Sequence, residues 1–326
     1  MEEIVTNIND ISKKTGFSKS TISRYLNNGS VSEKTSKKIK KAIDELGYIP
    51  NRYAQSLKSS STKTIGIIIP NFIGYTKNIA LDAINTYLKN TEYTMLISCS
   101  DDDMNDEIKI IKNMVKLKVD GIILFASDIT KNHYEVFENL TVPLIIYGQQ
   151  VTNQYSISPN DYMAGKHLGQ YIKSLEHKEI SFFDIENYDK SVSKRYEGLV
   201  SSLKDTDIKI NHHIVNFTAE RAYKKAKEIL ENEQSTFFIG ATDNIAFGIL
   251  KALNERKISI PEEISVCGFG DYYISSMINP PLTTTNFPYD KMGIIAIESL
   301  LNLIDGKIIA KHKLLDGNLI IRRSSK

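Results

Sequence analysis

Seven polar side chains crowd one short stretch near the start of the chain: Ser18, Lys19, Ser20, Thr21, Ser23, Arg24 and Asn27, all within "FSKSTISRYLN". Hydroxyls, an amide and two cations are a poor set for hydrolysis or metal binding. They are a good set for nucleic acid. A guanidinium pairs bidentately with guanine O6 and N7, hydroxyls bond phosphates or base edges, and a lysine neutralises phosphate. At 100° per residue Ile22 and Leu26 share one face of a helix, while Ser20, Ser23, Arg24 and Asn27 fall on the opposite one and Lys19 lies at the exposed start.

The elements that must hold this face are readable on either side of it. Asn7 can cap a first helix, with Asp10 in capping-box position and Ile8 and Ile11 facing inward. Gly16 makes a turn, and Ser18 caps the second helix. A third helix follows Ser32, runs through Ile39, Ala42, Ile43 and Leu46, and ends at Gly47. With Phe17 and Val31 these positions make a small three-helix core that leaves the polar face free. Helix, turn and a helix with a hydrogen-bonding face describe a helix-turn-helix, whose second helix enters the major groove. Charge agrees: residues 1–63 carry twelve Lys and Arg against six Asp and Glu, whereas the whole chain holds 41 against 39. The basic surplus sits where a polyanion would be met.

At 326 residues, 41% hydrophobic and 25% charged, the chain is long enough for more than one globular domain. No apolar run reaches the roughly 18 residues needed to cross a bilayer, and the acidic Met1-Glu2-Glu3 start does not lead into a signal-peptide core. A cytoplasmic protein with no membrane partner is expected. Cys99 and Cys267 each lie in a strand-like run, with no CxxC and no clustered histidines, so both read as reduced core thiols. No metal and no cofactor is expected.

From residue 64 to about 269 short apolar runs alternate with amphipathic stretches. The runs are 64–70, 93–99, 120–126, 142–148, 179–185, 212–217, 235–241 and 264–269, rich in Ile, Val, Phe and Tyr. Such strands are buried on both faces, and the stretches between them, such as 105–118 and 220–233, have helical stripes. Repeated alternation means parallel α/β architecture. A break around "YSISPNDYMAG" (155–165) and the strand-like "LTTTNF" (282–287) divide it into two similar halves with a ligand cleft between them. The expected organisation is an all-α DNA-binding domain (1–50), a hinge and linker (51–63) and an α/β core (64–326) of two parallel-sheet subdomains, with crossovers near 159, 287 and 316. Within the hinge, "NRYAQSLK" (51–58) is too short to hold as an isolated helix, since those under about 12–15 residues are marginal in water. Ala54 and Leu57 share a face, so it reads as a helix formed only against a partner.

An enzyme reading finds little support. "SVSK" (191–194) fits SxxK, "KTG" (14–16) and "TDN" (242–244) imitate two further β-lactamase elements, but the KTG comes first in the chain and inside the helix-turn-helix. There is no GxSxG, HExxH, P-loop or GxGxxG. His133, His167, His177, His212, His213 and His312 are scattered in mostly polar contexts and read as surface residues.

"FSKSTISRYLN" (17–27), "VSEKTSKKIKKAIDELGYIPNRYAQSL" (31–57), "TIGIIIP" (64–70), "ATDNIAFG" (241–248), "PEEISVCGFGD" (261–271) and "NPPLTTTNF" (279–287) together resemble the LacI/GalR family of bacterial transcription regulators. In this order and spacing the likeness covers practically the full length. It implies a periplasmic-binding-protein-like core, a homodimer or dimer of dimers, a near-palindromic double-stranded operator and a small-molecule effector. Lys19, Ser20 and Arg24 match base-reading positions, and Asn7, Ser18, Thr21, Ser23 and Asn27 complete the DNA-facing set. In the hinge, Asn51, Arg52, Ala54 and Gln55 accompany Leu57, whose counterpart wedges into the minor groove and kinks the DNA.

For the cleft, the resemblance implies Phe72, Tyr75, Tyr147, Gly148, Gln149, Ser191, Arg195, Phe217, Asp243, Asp271 and Phe287. Of these, Arg195 and Asp243 are the strongest candidates to grip sugar hydroxyls. Two positions depart from the family pattern: Gly148-Gln149 and Gly270 stand where aspartates are common. These glycines, with "SRYLNNG" (23–29) and "YGQQ" (147–150), look most like sucrose operon repressors of Gram-positive bacteria, so sucrose, fructose or a phosphorylated relative is the expected effector. The alternatives are a transport-type sugar-binding protein and a regulator controlled by a purine or protein co-repressor.

Overall fold

The computed structural model describes residues 6–26, 29–48, 61–126, 128–185, 190–232 and 234–326, without the side chains of Lys190 and Ser191. Two units result, Met1–Thr62 and Lys63–Lys326. The first packs α1 (Ile8–Thr15), α2 (Lys19–Leu26) and α3 (Glu33–Leu46). Asn7 and Asp10 close a capping box at the start of α1, Gly16 ends it at φ 75°, and Ser32 caps α3, which stops at Gly47, φ 60°. Ile11, Ile22, Ile39 and Ala42 are the buried centre, ringed by Ile8, Phe17, Tyr25, Leu26, Ile43, Leu46 and Tyr48. Lys14 bonds Glu45 at 2.7 Å, tying α1 to α3 and holding the Glu45 carboxyl below its ordinary range.

The second unit begins with β1 (Thr64–Ile69), α4 (Tyr75–Leu88), β2 (Thr94–Cys99), α5 (Met104–Lys116), β3 (Gly121–Phe125), α6 (Lys131–Phe137), β4 (Leu144–Tyr147) and β5 (Tyr155–Pro159). It continues with α7 (Asp161–Lys173), β6 (Glu179–Ile185), α8 (Lys190–Leu203), β7 (Lys209–Val215), α9 (Ala219–Ile229), β8 (Phe237–Gly240), α10 (Asp243–Glu255), β9 (Ser265–Phe269) and β10 (Thr283–Asn286). Last come α11 (Tyr289–Ile304), β11 (His312–Leu315) and β12 (Asn318–Ile320). One sheet has the order β11-β5-β4-β3-β1-β2, the other β12-β10-β9-β8-β6-β7. Every pairing is parallel except β10 with β12. Each sheet is the floor of its own subdomain, and the chain passes between subdomains after Pro159, after Asn286 and after Leu315. Asn160 donates to Asp316 at 2.7 Å, binding the first crossing to the third.

Apolar periodicity explains both cores. Ile65, Ile67 and Ile69 of β1 meet Met292, Ala296, Ile297 and Leu300 of α11 in one cluster; Phe182, Phe183, Phe237 and Phe238 anchor the other subdomain. Helices α7 and α8 pack exceptionally close. A Cβ on Gly165 would lie 1.9 Å from the Arg195 carbonyl oxygen, and one on Gly198 2.0 Å from that of Tyr162.

The structure corrects two sequence expectations. The break at 155–165 contains a strand, β5, whose Ser156 and Ser158 are buried; Ser156 Oγ meets His312 Nδ1 at 2.8 Å. Its hydroxyls hide it from a hydrophobic pattern. The histidines are not all surface residues: His133 is fully buried, its Nε2 3.0 Å from Glu107 Oε1 and its Nδ1 2.8 Å from Thr130 Oγ1. Glu107 faces inward from α5, and a buried carboxylate requires such a partner. Cys267 is buried and Cys99 half-buried, both free thiols. Among the described residues no helix is long and apolar enough to cross a membrane, and no group of three or more His, Cys, Asp or Glu could hold a metal.

Candidate functional site

In the first unit the buried Ile22 anchors α2 and turns its other face outward. Ser18, Lys19, Ser20 and Arg24 are exposed there, and Thr21 and Ser23 half-buried. Ser18 Oγ accepts the Thr21 N–H at 3.2 Å and lies 2.8 Å from Ser20 Oγ. Behind the turn, Ser12 Oγ donates to the Phe17 carbonyl at 2.7 Å. Gly29 N–H donates to the Arg24 carbonyl at 2.7 Å, and a Cβ at 29 would come within 2.6 Å of Arg24 Cγ. Glycine is what lets the chain pass so close to the base of this arginine. Asn7 is exposed but its amide oxygen is engaged at 2.8 Å by the Asn9 N–H, so its side chain closes the helix end first. Asn27, Asn51, Arg52, Ala54, Gln55 and Leu57 lie outside the described residues, as does the conditional helix 51–58.

In the second unit most of the remaining candidates gather where the two subdomains face each other. Arg195, near the start of α8, is buried; its Nε donates to Asp161 Oδ1 at 2.7 Å and an Nη to the Ala241 carbonyl at 2.6 Å. Its guanidinium carbon stands 5.2 Å from the ring centres of both Phe269 and Phe287, within cation–π range. Asp161 directly follows the first crossing, so this pair binds the arginine to a segment that links the subdomains. Tyr147 is buried, 4.3 Å from the Phe125 ring centre, and its hydroxyl donates to the Tyr289 carbonyl at 3.3 Å, tying β4 to the start of α11. Burial pushes the Tyr147 and Tyr289 phenols well up. Gln149 donates to the Ala126 carbonyl at 3.0 Å, beside Gly148 at φ 94°. Phe72 is 66% and Phe217 43% exposed. Ser191 lies in the first turn of α8.

Asp243, expected to grip sugar hydroxyls, has both carboxylate oxygens engaged within the protein. It is fully buried, and its two oxygens accept from the Tyr272 N–H at 3.0 Å, the Ser275 hydroxyl at 2.5 Å and the Thr284 hydroxyl at 2.6 Å. Burial raises its carboxyl above the ordinary range against the pull of these three donors. It holds the loop after β9 in place. Asp271 is likewise committed, at 2.7 Å to Arg322 and 2.8 Å to Asn286. The residues that sequence reasoning missed are Asp161, Tyr272 and Tyr289. The first stands at the crossing and the second immediately after "GFGD", so position alone could have flagged both.

Residues 7–51 match the model of the bacterial regulatory proteins of the lacI family, and residues 170–325 that of a periplasmic binding protein-like domain. The chain is 34% identical over 312 residues to the sucrose operon repressor of Staphylococcus xylosus, covering 95% of this chain and 97% of that one. It is 28% identical to the HTH-type transcriptional repressor PurR of Vibrio atlanticus, over 92% of each chain. The crystal structure of the Lac repressor dimer bound to operator and the anti-inducer ONPF superposes with a TM-score of 0.91, over 98% of this chain and 99% of that one at 24% identity. The exposed polar face of α2, the two-lobed core that follows it in sequence and 34% identity to a repressor over 95% of the chain lead to one conclusion: the chain belongs to the LacI family of bacterial regulatory proteins, DNA-binding transcriptional regulators rather than enzymes.

Proposed function

We propose that the chain represses a sugar-utilisation operon in the cytoplasm. Its α2 helix reads a near-palindromic operator, as a homodimer or dimer of dimers, through Lys19, Ser20 and Arg24. Sucrose or a close relative binds in the cleft around Arg195 and changes operator affinity. The observation that carries this reading is the 34% identity to a sucrose operon repressor over 95% of the chain. The cleft is compatible with it. Glycine stands at 148 and 270, Asp243 and Asp271 are engaged within the protein, and the rings of Phe269 and Phe287 lie beside Arg195. Such rings suit the apolar faces of a sugar.

A ligand shifts operator affinity only by its differential affinity for the two arrangements of the core. Ordering of residues 51–58 is the step we assign to that coupling. A second reading, control by a purine, draws on the 28% identity to PurR. Titrating the full chain with sucrose, fructose, sucrose phosphate and a purine base, by calorimetry and by operator binding, separates the two. Sucrose or its relatives should bind and change operator affinity at least fivefold, the lower end of ordinary allosteric coupling. Purine binding with no response to any sugar would overturn the sugar reading. A chain lacking residues 51–58 that kept wild-type operator affinity would overturn the hinge assignment.

A further inference from the structure

Tyr272 follows β9 in the second subdomain, and Tyr75 opens α4 in the first. Their ring centres are 5.3 Å apart at 41°, a tilted pair spanning the two subdomains. Three neighbours set the Tyr272 ring. Its N–H donates to Asp243 at 3.0 Å, its ring centre lies 6.3 Å from that of Phe247 at 67°, and a Cβ on Gly270 would come within 2.4 Å of the ring. Gly270 also holds φ 134°, a conformation that side chains rarely adopt. The glycine that stands where the family pattern has a carboxylate is therefore a seat for this ring. Asp243 acts through the same ring, because its carboxylate fixes the backbone from which Tyr272 projects.

We propose that Tyr272 is a ligand-contacting residue of the cleft, and that its ring contact with Tyr75 joins the two subdomains in the arrangement the effector selects. The proposal rests on the sugar reading for its ligand half. The ring sits at the subdomain boundary, half-buried and near Arg195, and its uncovered part is available to a ligand held between the subdomains. With glycine in place of the common carboxylate and this ring packed against it, the site selects ligands by shape and apolar surface more than by hydroxyl count. This makes Tyr272 a specificity-determining residue that the family pattern does not mark.

The test is a double-mutant cycle in the full chain with Tyr75→Leu, Tyr272→Leu and both, together with Tyr272→Phe. Sucrose affinity, the sucrose-induced change in operator affinity and the urea midpoint without sugar are read for each. We expect Tyr272→Leu to weaken sucrose binding about tenfold, and either leucine variant to blunt the operator response. The double variant should be little worse than the singles, since residues in contact are non-additive. Tyr272→Phe should keep the operator response, because the ring is retained. Leucine variants with wild-type sucrose affinity and response, or strictly additive effects, would overturn the proposal. The urea cycle decides the ring contact with no ligand present: additive midpoints would refute it even if Tyr272→Leu proved too unstable for titration, in which case Tyr75→Leu alone reports the response. If the wild-type chain binds none of the sugars, the sugar reading fails and takes the ligand half with it, while the urea cycle still decides the contact.

Discussion

Asp243 shows how much a single residue's role depends on partners far away in sequence. The family resemblance implies a ligand contact at Asp243, within "ATDNIAFG". The donors that occupy it come from Tyr272, Ser275 and Thr284, about thirty to forty residues downstream, and no local pattern reveals that they converge. The same holds for Asp271 with Arg322. Burial gives Asp243 a testable signature. Because the folded protein holds its proton more tightly than the unfolded chain does, Asp243 adds stability below the ordinary carboxylate range, and that contribution drains away as pH rises through the raised value. In urea unfolding, wild type should therefore lose stability relative to Asp243→Asn as pH is raised from about 4 towards 7, the window that opens at the ordinary carboxylate pKa. A difference that stayed constant, or grew in favour of wild type, would show the carboxylate to be ionised throughout.

At the scale of elements, the strands legible in the sequence are those whose apolar runs fill a sheet: β1, β3, β4, β6, β8 and β9 all follow this rule. The three helices of the first unit were legible through their caps, Asn7, Ser18, Ser32 and Gly47, as well as their stripes. What escaped notice were β5, β11 and β12. Their polar side chains are satisfied by neighbours, as Ser156 is by His312, or exposed at a sheet edge, so burial leaves no apolar trace. The closeness of α7 to α8 was equally invisible, because a glycine in a helical pattern looks like a weakness rather than a contact. Gly165→Ala tests it. The new methyl would lie 1.9 Å from the Arg195 carbonyl, so the helices must part. Overpacking of this kind costs about 1–3 kcal/mol or more. Urea unfolding should show that loss, and calorimetry a weakened effector site, because Arg195 rides on the displaced helix. Stability unchanged to within about 0.5 kcal/mol, the range of neutral surface substitutions, would contradict the packing described.

The whole molecule divides its tasks between a basic three-helix unit and a two-sheet core. The sequence disclosed that division through charge and pattern together: a surplus of cations in front, and strand-helix alternation only behind "SSSTK". It did not disclose which polar residues of the core face the ligand and which face one another, because that depends on two subdomains assembled from three chain crossings. The central claim is that α2 supplies the sequence discrimination through Arg24, whose guanidinium lies on its exposed face. A good bidentate contact to guanine is worth about 1–3 kcal/mol of discrimination. The most direct measurement is competition between operator and scrambled duplex for the wild-type chain and Arg24→Ala, repeated at several salt concentrations. The preference for operator should fall by roughly five- to a hundredfold in the variant, the equivalent of that energy, while binding to scrambled duplex changes far less. An Arg24→Ala chain that discriminates as well as wild type at every salt concentration would contradict the account.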